Sequence, residues 1–298
     1  MASPADLLRV CDPGEYYRSF LERDLLPDGR ATSEFRPLSL QLGVISSAYG
    51  SAMVRQGGAC VVVSVQPEVS VPIDGSGFIV VNVDSSLDAT DASLSMQAQL
   101  EDTVACLHSL IDDDAIVNRK SLVVVAEKIA WTLYVEVLVL SVDGGLTDAT
   151  VSALVGALAD LRLPSISLKD EATDDDRPFE LSKAALVISD ARHRLELVDY
   201  PVSSTFVFHK ATCADGDAKK RKRAVMRCIC DPSEQLLALM TGACNVVVGR
   251  QGQVYRVNRG GGGEGVSIST LDTVVSLAAK RQQSVELVIE QALRMRAD

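Results

Sequence analysis

The sequence predicts an α+β chain in two halves, with mixed sheets and helices packed on one side. Three observations carry this. Strand-like stretches come in runs, over 36–83 and 184–257, and do not alternate strictly with helices. Each half then closes on a helix with an apolar side, 151–161 in the first and 270–296 in the second. Leu163-Pro164 ends the first of these helices, so the expected subdomains are 1–164 and 165–298. The two halves share an architecture without visible sequence identity, as an old duplication would.

Taken in order, Pro13 to Arg23 reads as a short helix, with Tyr16, Tyr17, Phe20 and Leu21 on its apolar side. Pro27-Asp28-Gly29-Arg30 is a turn. From Arg36 to Gly43, Leu38, Leu40 and Leu42 alternate inward, as in a half-buried strand. Ala52–Gln56 and Ala59–Val65 form a hairpin across Gly57-Gly58, and Phe78–Val83 is a further strand. Ser95 to Leu110 has helical period, and Leu122–Ala126 is a short apolar run. The central stretch is Trp131–Leu161: a buried strand to Leu140, a turn at Asp143-Gly144-Gly145, then a helix burying Val151, Leu154, Val155, Leu158 and Leu161. A strand, glycine turn and helix in that order can cradle a phosphate at the helix N-terminus.

In the second half, Ala184–Ser189, Arg194–Val198, Ser203–His209 and Ala224–Cys230 read as strands. Asn245–Val248 and Gln253–Val257 form a hairpin around Gln251-Gly252. Ser269 is the expected N-cap of the last helix. Asp174, Asp175 and Asp176 lie in an acidic loop whose plainest reading is a solvated surface.

The chain has 298 residues, 47% hydrophobic and only 4% aromatic, so the core is built from Val, Leu, Ala and Ile. A net charge of −11 argues against a free-standing nucleic-acid binder, which needs a basic face. The 7 cysteines are irregularly spaced and read as reduced thiols of an intracellular protein. The 3 histidines lack metal-binding spacing, and no metal or cofactor is expected. The N-terminus carries no secretory pattern, and no apolar run reaches membrane-spanning length without charge, so a soluble protein is expected.

Leu26-Pro27-Asp28-Gly29-Arg30, then Tyr49-Gly50-Ser51-Ala52-Met53-Val54-Arg55-Gln56-Gly57, resemble the RNase PH family in order and spacing. There the pattern is Arg-x-Asp-Gly-Arg, a strand, then Asp-Gly-Ser-Ala-x-Val-x-x-Gly-Asn-Thr. The likeness continues through Lys128-Ile-Ala-Trp131, Val142-Asp143-Gly144-Gly145 and the glycines from 260 to 265. With Glu15-Tyr16-Tyr17, it is similar to the RNase PH-like ring subunits of the eukaryotic RNA exosome. The resemblance implies the RNase PH fold, with two βαβα-type subdomains. It implies partners too: related subunits in a hexameric ring, cap subunits with RNA-binding domains, and RNA in the assembly. The implied locations are nucleus, nucleolus and cytoplasm.

Active family members cleave RNA with inorganic phosphate, and the resemblance identifies three places to look for that chemistry. Where they carry Asp-Gly-Gly-Thr-Arg-Thr-Ala, this chain reads Asp143-Gly144-Gly145-Leu146-Thr147-Asp148-Ala149, losing the Thr-Arg pair that grips phosphate. Asp148 reads as a favourable first-turn residue of the helix, and its charge would oppose phosphate. The family's catalytic Asp pair falls on Gln235 and Thr241, with no acid between Glu234 and Glu264. No Lys or Arg occurs between Gln56 and Asn118, including the stretch Ser85–Asp91 that carries arginines in many relatives.

One feature points the other way. Lys219, Lys220, Arg221, Lys222 and Arg223 form a basic run, a candidate RNA contact or nuclear import signal, or simply a solvated loop. The expected function is a non-catalytic structural subunit, with no catalytic residues and no metal. The alternatives are an active phosphate-dependent 3'-5' exoribonuclease with a composite site, and an unrelated α+β binding module.

Overall fold

The computed structural model describes residues 4–86, 94–168, 186–212, 224–240, 242–260 and 266–296. The elements run α1 (Pro4–Cys11), α2 (Pro13–Leu21), β1 (Leu38–Leu42), β2 (Gly50–Gln56), β3 (Ala59–Ser70), β4 (Phe78–Ser85), α3 (Leu94–Asp112), β5 (Val123–Val125) and β6 (Ile129–Ser141). Then follow α4 (Leu146–Asp160), β7 (Arg162–Leu168), β8 (Leu186–Arg194), β9 (Val202–Thr212), β10 (Ala224–Cys230), α5 (Glu234–Leu239), β11 (Ala243–Val248), β12 (Val254–Gly260) and α6 (Ile268–Met295). Among the described residues, no helix is long and apolar enough to cross a membrane.

A six-stranded sheet has the order β1-β2-β3-β6-β4, with β5 on β6. It is mixed: β4 runs parallel to β6 and the other pairings are antiparallel. A four-stranded antiparallel sheet has the order β10-β9-β11-β12, and β7 pairs with β8 alone. The expected hairpins are present, the first extended to Ser70 and the second closed by a short turn with Gln251 and Gly252 at positive φ. Leu163 and Pro164 lie within β7, which carries the chain straight on from α4.

The core follows the alternation of the strands. Val61, Val63 and Val65 of β3 and Leu133, Val135, Val137 and Val139 of β6 turn inward and are almost fully buried. Above them lies α4, whose residues are buried on every side. That explains its small, apolar make-up: helices closely packed all round cannot carry a polar face. Gly50 of β2 meets α4 so tightly that a Cβ there would stand 2.5 Å from the Ala157 carbonyl oxygen. The N-terminal helix pair serves the other half of the chain: Tyr17, Leu21 and Leu26 pack with Val207, Ile229 and Leu236.

Four readings need correction. The helix after the glycine turn starts at Leu146, not 151, because Gly144 and Gly145 at positive φ complete the reversal by themselves. Arg194–Val198 is not a strand beyond Arg194; the amides of Leu195 and Val198 bond to Leu161 and Ile116, outside any ladder. Helices α1 and α5 are short, and periodicity did not single them out. The cap of α6 is Ser267, not Ser269; its hydroxyl accepts the Thr270 amide at 3.2 Å.

Candidate functional site

The glycine turn after β6 is where the two halves meet. Arg36, just before β1, sends Nη1 to Asp143 Oδ2 at 2.6 Å and Nη2 to the Asp143 carbonyl at 2.9 Å. The same guanidinium grips Asp231, with Nε to Oδ2 at 2.9 Å and Nη2 to Oδ1 at 2.7 Å. The Arg36 backbone amide adds a third bond to Asp231, also at 2.9 Å. Asp143 further accepts the Gly58 amide, and Glu234 accepts the Gly144 amide. A planar guanidinium with several fixed donors suits such a two-carboxylate clamp.

The electrostatics follow from burial and pairing. Burial pushes the Asp231 carboxyl up, but the hydrogen bonds and charge of Arg36, with Arg281, outweigh it and hold it below the usual carboxylate range. Burial likewise works against the charge of Arg36, and Asp231 and Asp143 overcome it. Gly144 fits because it is bare: φ is 69° there, and a Cβ would lie 2.1 Å from the Pro232 carbonyl oxygen. Gly144→Ala is therefore expected to lower stability by about 1–3 kcal/mol, read as a lower urea midpoint. An unchanged midpoint would show that the turn relaxes freely.

Asp148 corrects the sequence reading most. It does lie in the first turn of α4, as expected, but it is fully buried and turned inward, away from any phosphate. Its Oδ1 accepts Ser203 Oγ at 2.6 Å, Thr205 Oγ1 at 2.9 Å and Asn245 Nδ2 at 3.2 Å. Its Oδ2 accepts the Thr205 amide at 2.8 Å. The carboxylate thus joins α4 to β9 and β11. Burial raises its pKa, against the charge of Arg281 and the bonds from Ser203 and Thr205.

The rest of the expected site is dispersed. Leu146 is buried, and the Thr147 hydroxyl is paired with Thr103 Oγ1 at 2.8 Å. Beside them is a small cleft of about 90 Å³, lined also by Asp102, Cys106, Asn245 and Arg256. Burial there pushes the Cys106 thiol up to about 11, against the pull of Arg256. Gln235 turns towards the N-terminal helices, accepting Arg9 Nε at 2.9 Å. Thr241, residues 87–93 and the basic run Lys219–Arg223 lie outside the described residues. Among the described residues, no group of three His, Cys, Asp or Glu side chains is placed to hold a metal. The sequence reading missed the Arg36–Asp231 clamp. Arg36-Pro37 and Asp231-Pro232 mark its ends, but nothing local says that they meet.

Two large sheets, a buried helix between the halves and a glycine turn in this order make the fold that of an RNase PH-type protein. The family model described as "3' exoribonuclease family, domain 1" matches residues 34–164. The exosome complex component rrp43 of Schizosaccharomyces pombe is 31% identical over 187 residues, covering 59% of this chain and 69% of that protein. The exosome complex component Rrp42 of Methanopyrus kandleri is 27% identical over 273 residues, covering 89% and 91%. A chain from the structure of the Archaeoglobus fulgidus exosome with RNA bound to the active site superposes with a TM-score of 0.68 at 20% identity, covering 95% of this chain and 97% of that one. The chain belongs to the RNase PH family of 3' exoribonucleases.

Proposed function

We propose that this chain is a non-catalytic structural subunit of an RNA exosome ring, of the Rrp43 class. In this reading it supports 3'-5' RNA processing and degradation, ribosomal RNA maturation included, by organising its neighbours. Those neighbours are other RNase PH-like subunits in a hexameric ring and cap subunits with RNA-binding domains. Nucleus, nucleolus and cytoplasm are its places of work. The 31% identity to an rrp43 component supports the class.

One observation carries the loss of chemistry. At the turn where active relatives hold phosphate with a Thr-Arg pair, this chain places a buried Leu146 and a Thr147 whose hydroxyl is paired with Thr103. Asp148 then spends its carboxylate on four donors inside the protein. Phosphorolysis needs preorganised positive groups around the attacking phosphate. Arg256, the cation lining the adjacent cleft, shares it with Asp102.

The test is direct. The purified chain, mixed with inorganic phosphate and single-stranded RNA, is expected to release no nucleoside diphosphate above a protein-free control. Phosphate-dependent shortening of the RNA would overturn the reading.

A further inference from the structure

Strands β7 and β8 form a ribbon of their own, and β8 is its open side. Among the described residues β8 pairs with β7 alone. Leu186 is partly covered, and every residue from Val187 to Arg194 is exposed. Such a strand offers a row of backbone N–H and C=O groups to any extended chain that comes alongside. The ribbon starts at the C-terminal end of α4, the end opposite the glycine turn.

The ribbon repeats one sign of charge in a chain whose net charge is −11. Register sets Arg194 directly opposite Arg162 and Arg192 opposite Pro164, so the arginines share one face. Like charges directly opposite each other weaken a sheet. The fold does not relieve this. Arg162 Nε is buried without a hydrogen-bond partner. Arg192 lies over the Tyr49 ring, 5.5 Å from its centre. Asp160, just before Arg162 in the chain, is taken by Arg296. Among the described residues, no carboxylate forms an ion pair with Arg162, Arg192 or Arg194. A local cost with no return inside the fold marks a place kept for something outside it.

We propose that the free edge of β8 is a docking site for an extended acidic segment of another protein. The segment adds a strand beside β8 and sets its carboxylates against Arg192, Arg194 and Arg162. Main-chain bonds supply the attachment, and forked guanidinium–carboxylate pairs supply the choice. Basic residues on an edge repel a basic strand and admit an acidic one. A second copy of β8 would bring Arg192 and Arg194 against arginine, so this edge is closed to it. A nucleic acid matches the charge but not the strand, since it has no amides to continue the ladder. Nor is an aromatic face open for a base: Tyr49, the ring in the cluster, already carries Arg192. The inference rests on the ribbon alone and stands whatever the chain does in a ring.

Fluorescence anisotropy with the full chain at neutral pH tests it. The probe is a labelled peptide of the length of β8 that alternates threonine and glutamate. Saturable binding is expected, weakened by added salt and at least about fivefold by Arg192→Ser combined with Arg194→Ser. Arg18→Ser, an exposed arginine on α2, should leave the affinity unchanged. The same peptide N-methylated throughout keeps its charges but cannot form the ladder, and is expected not to bind. Melting curves matching the wild type establish that the variants fold. No binding of the peptide, or equal binding by the double variant, overturns the docking site. Undiminished binding of the N-methylated peptide overturns the added strand. Tighter binding of an oligouridylate of equal charge, lost in the double variant, overturns the protein occupant. Asp174→Asn, Asp175→Asn and Asp176→Asn together should leave the affinity unchanged; binding by that variant alone would assign the arginines an occupant within the chain and overturn ours.

Discussion

Asp148→Ala is expected to destabilise the chain by about 3–5 kcal/mol, the range for removing one partner from a buried charged network. Ser203, Thr205 and Asn245 all aim donors at this carboxylate; alanine strands the buried donors of Ser203 and Thr205, while Asn245 keeps the Ser203 and Thr205 hydroxyls as acceptors. Asp148→Asn should fall between wild type and alanine. The amide keeps one acceptor oxygen but turns an NH2 group either on the Thr205 amide or on the three donors at Oδ1. Urea denaturation at neutral pH reads both. Because α4 touches both large sheets, the loss should appear as one cooperative transition at a lower midpoint. An alanine variant as stable as the wild type would mean that the buried charge costs as much as its bonds return. Burial does raise the pKa of this group. Its own contribution therefore runs opposite to that of a salt-bridged carboxylate: present below the unfolded value, and lost as pH rises through the folded one.

How far the sequence could reveal this is set by range. The strands of the first half were legible because alternation is local: Leu38, Leu40 and Leu42 turn to one side of β1 whatever lies beyond. The hairpin at Gly57-Gly58 was legible for the same reason, since the turn and its two strands lie within one stretch of chain. Helix α4 was legible as a helix but not at its start, because the polar Asp148 and Thr150 are buried there and break the apolar stripe in the sequence. Asp148 was placed rightly in the first turn, but its burial was not legible, for a different reason. An acid in a first helical turn is ordinarily a dipole partner near solvent, and only β9 and β11, more than fifty residues away, make it a buried acceptor. The Arg36–Asp231 pair spans 195 positions, so no periodicity bears on it. Resemblance located the turn and its missing Thr-Arg pair; it did not reveal that the turn is held by a clamp.

Arg36→Met is expected to cost a similar amount, about 3–5 kcal/mol at neutral pH, and its pH dependence identifies the cause. The substitution removes the guanidinium donors to Asp231, whose side chain is wholly buried, and leaves only the backbone amide bond from position 36. Arg36→Lys keeps the charge but not the fork, so it should recover part of the loss. The sign follows from Asp231, whose folded pKa lies below its ordinary value. That depression contributes stability above the unfolded carboxylate pKa, about 3.9, and the contribution disappears as pH falls through the lower folded value. Without Arg36 the depression is reduced. The gap between wild type and Arg36→Met should therefore be widest near neutral pH and shrink in acid, as pH falls towards the wild-type folded value, which lies below the ordinary carboxylate value. Thermal midpoints from pH 7 to pH 3 measure it. A gap of constant size across that range would assign the loss to packing of the arginine stem and not to the Asp231 pair. A gap that closes in acid would identify the clamp as electrostatic, holding the glycine turn to the second half of the chain.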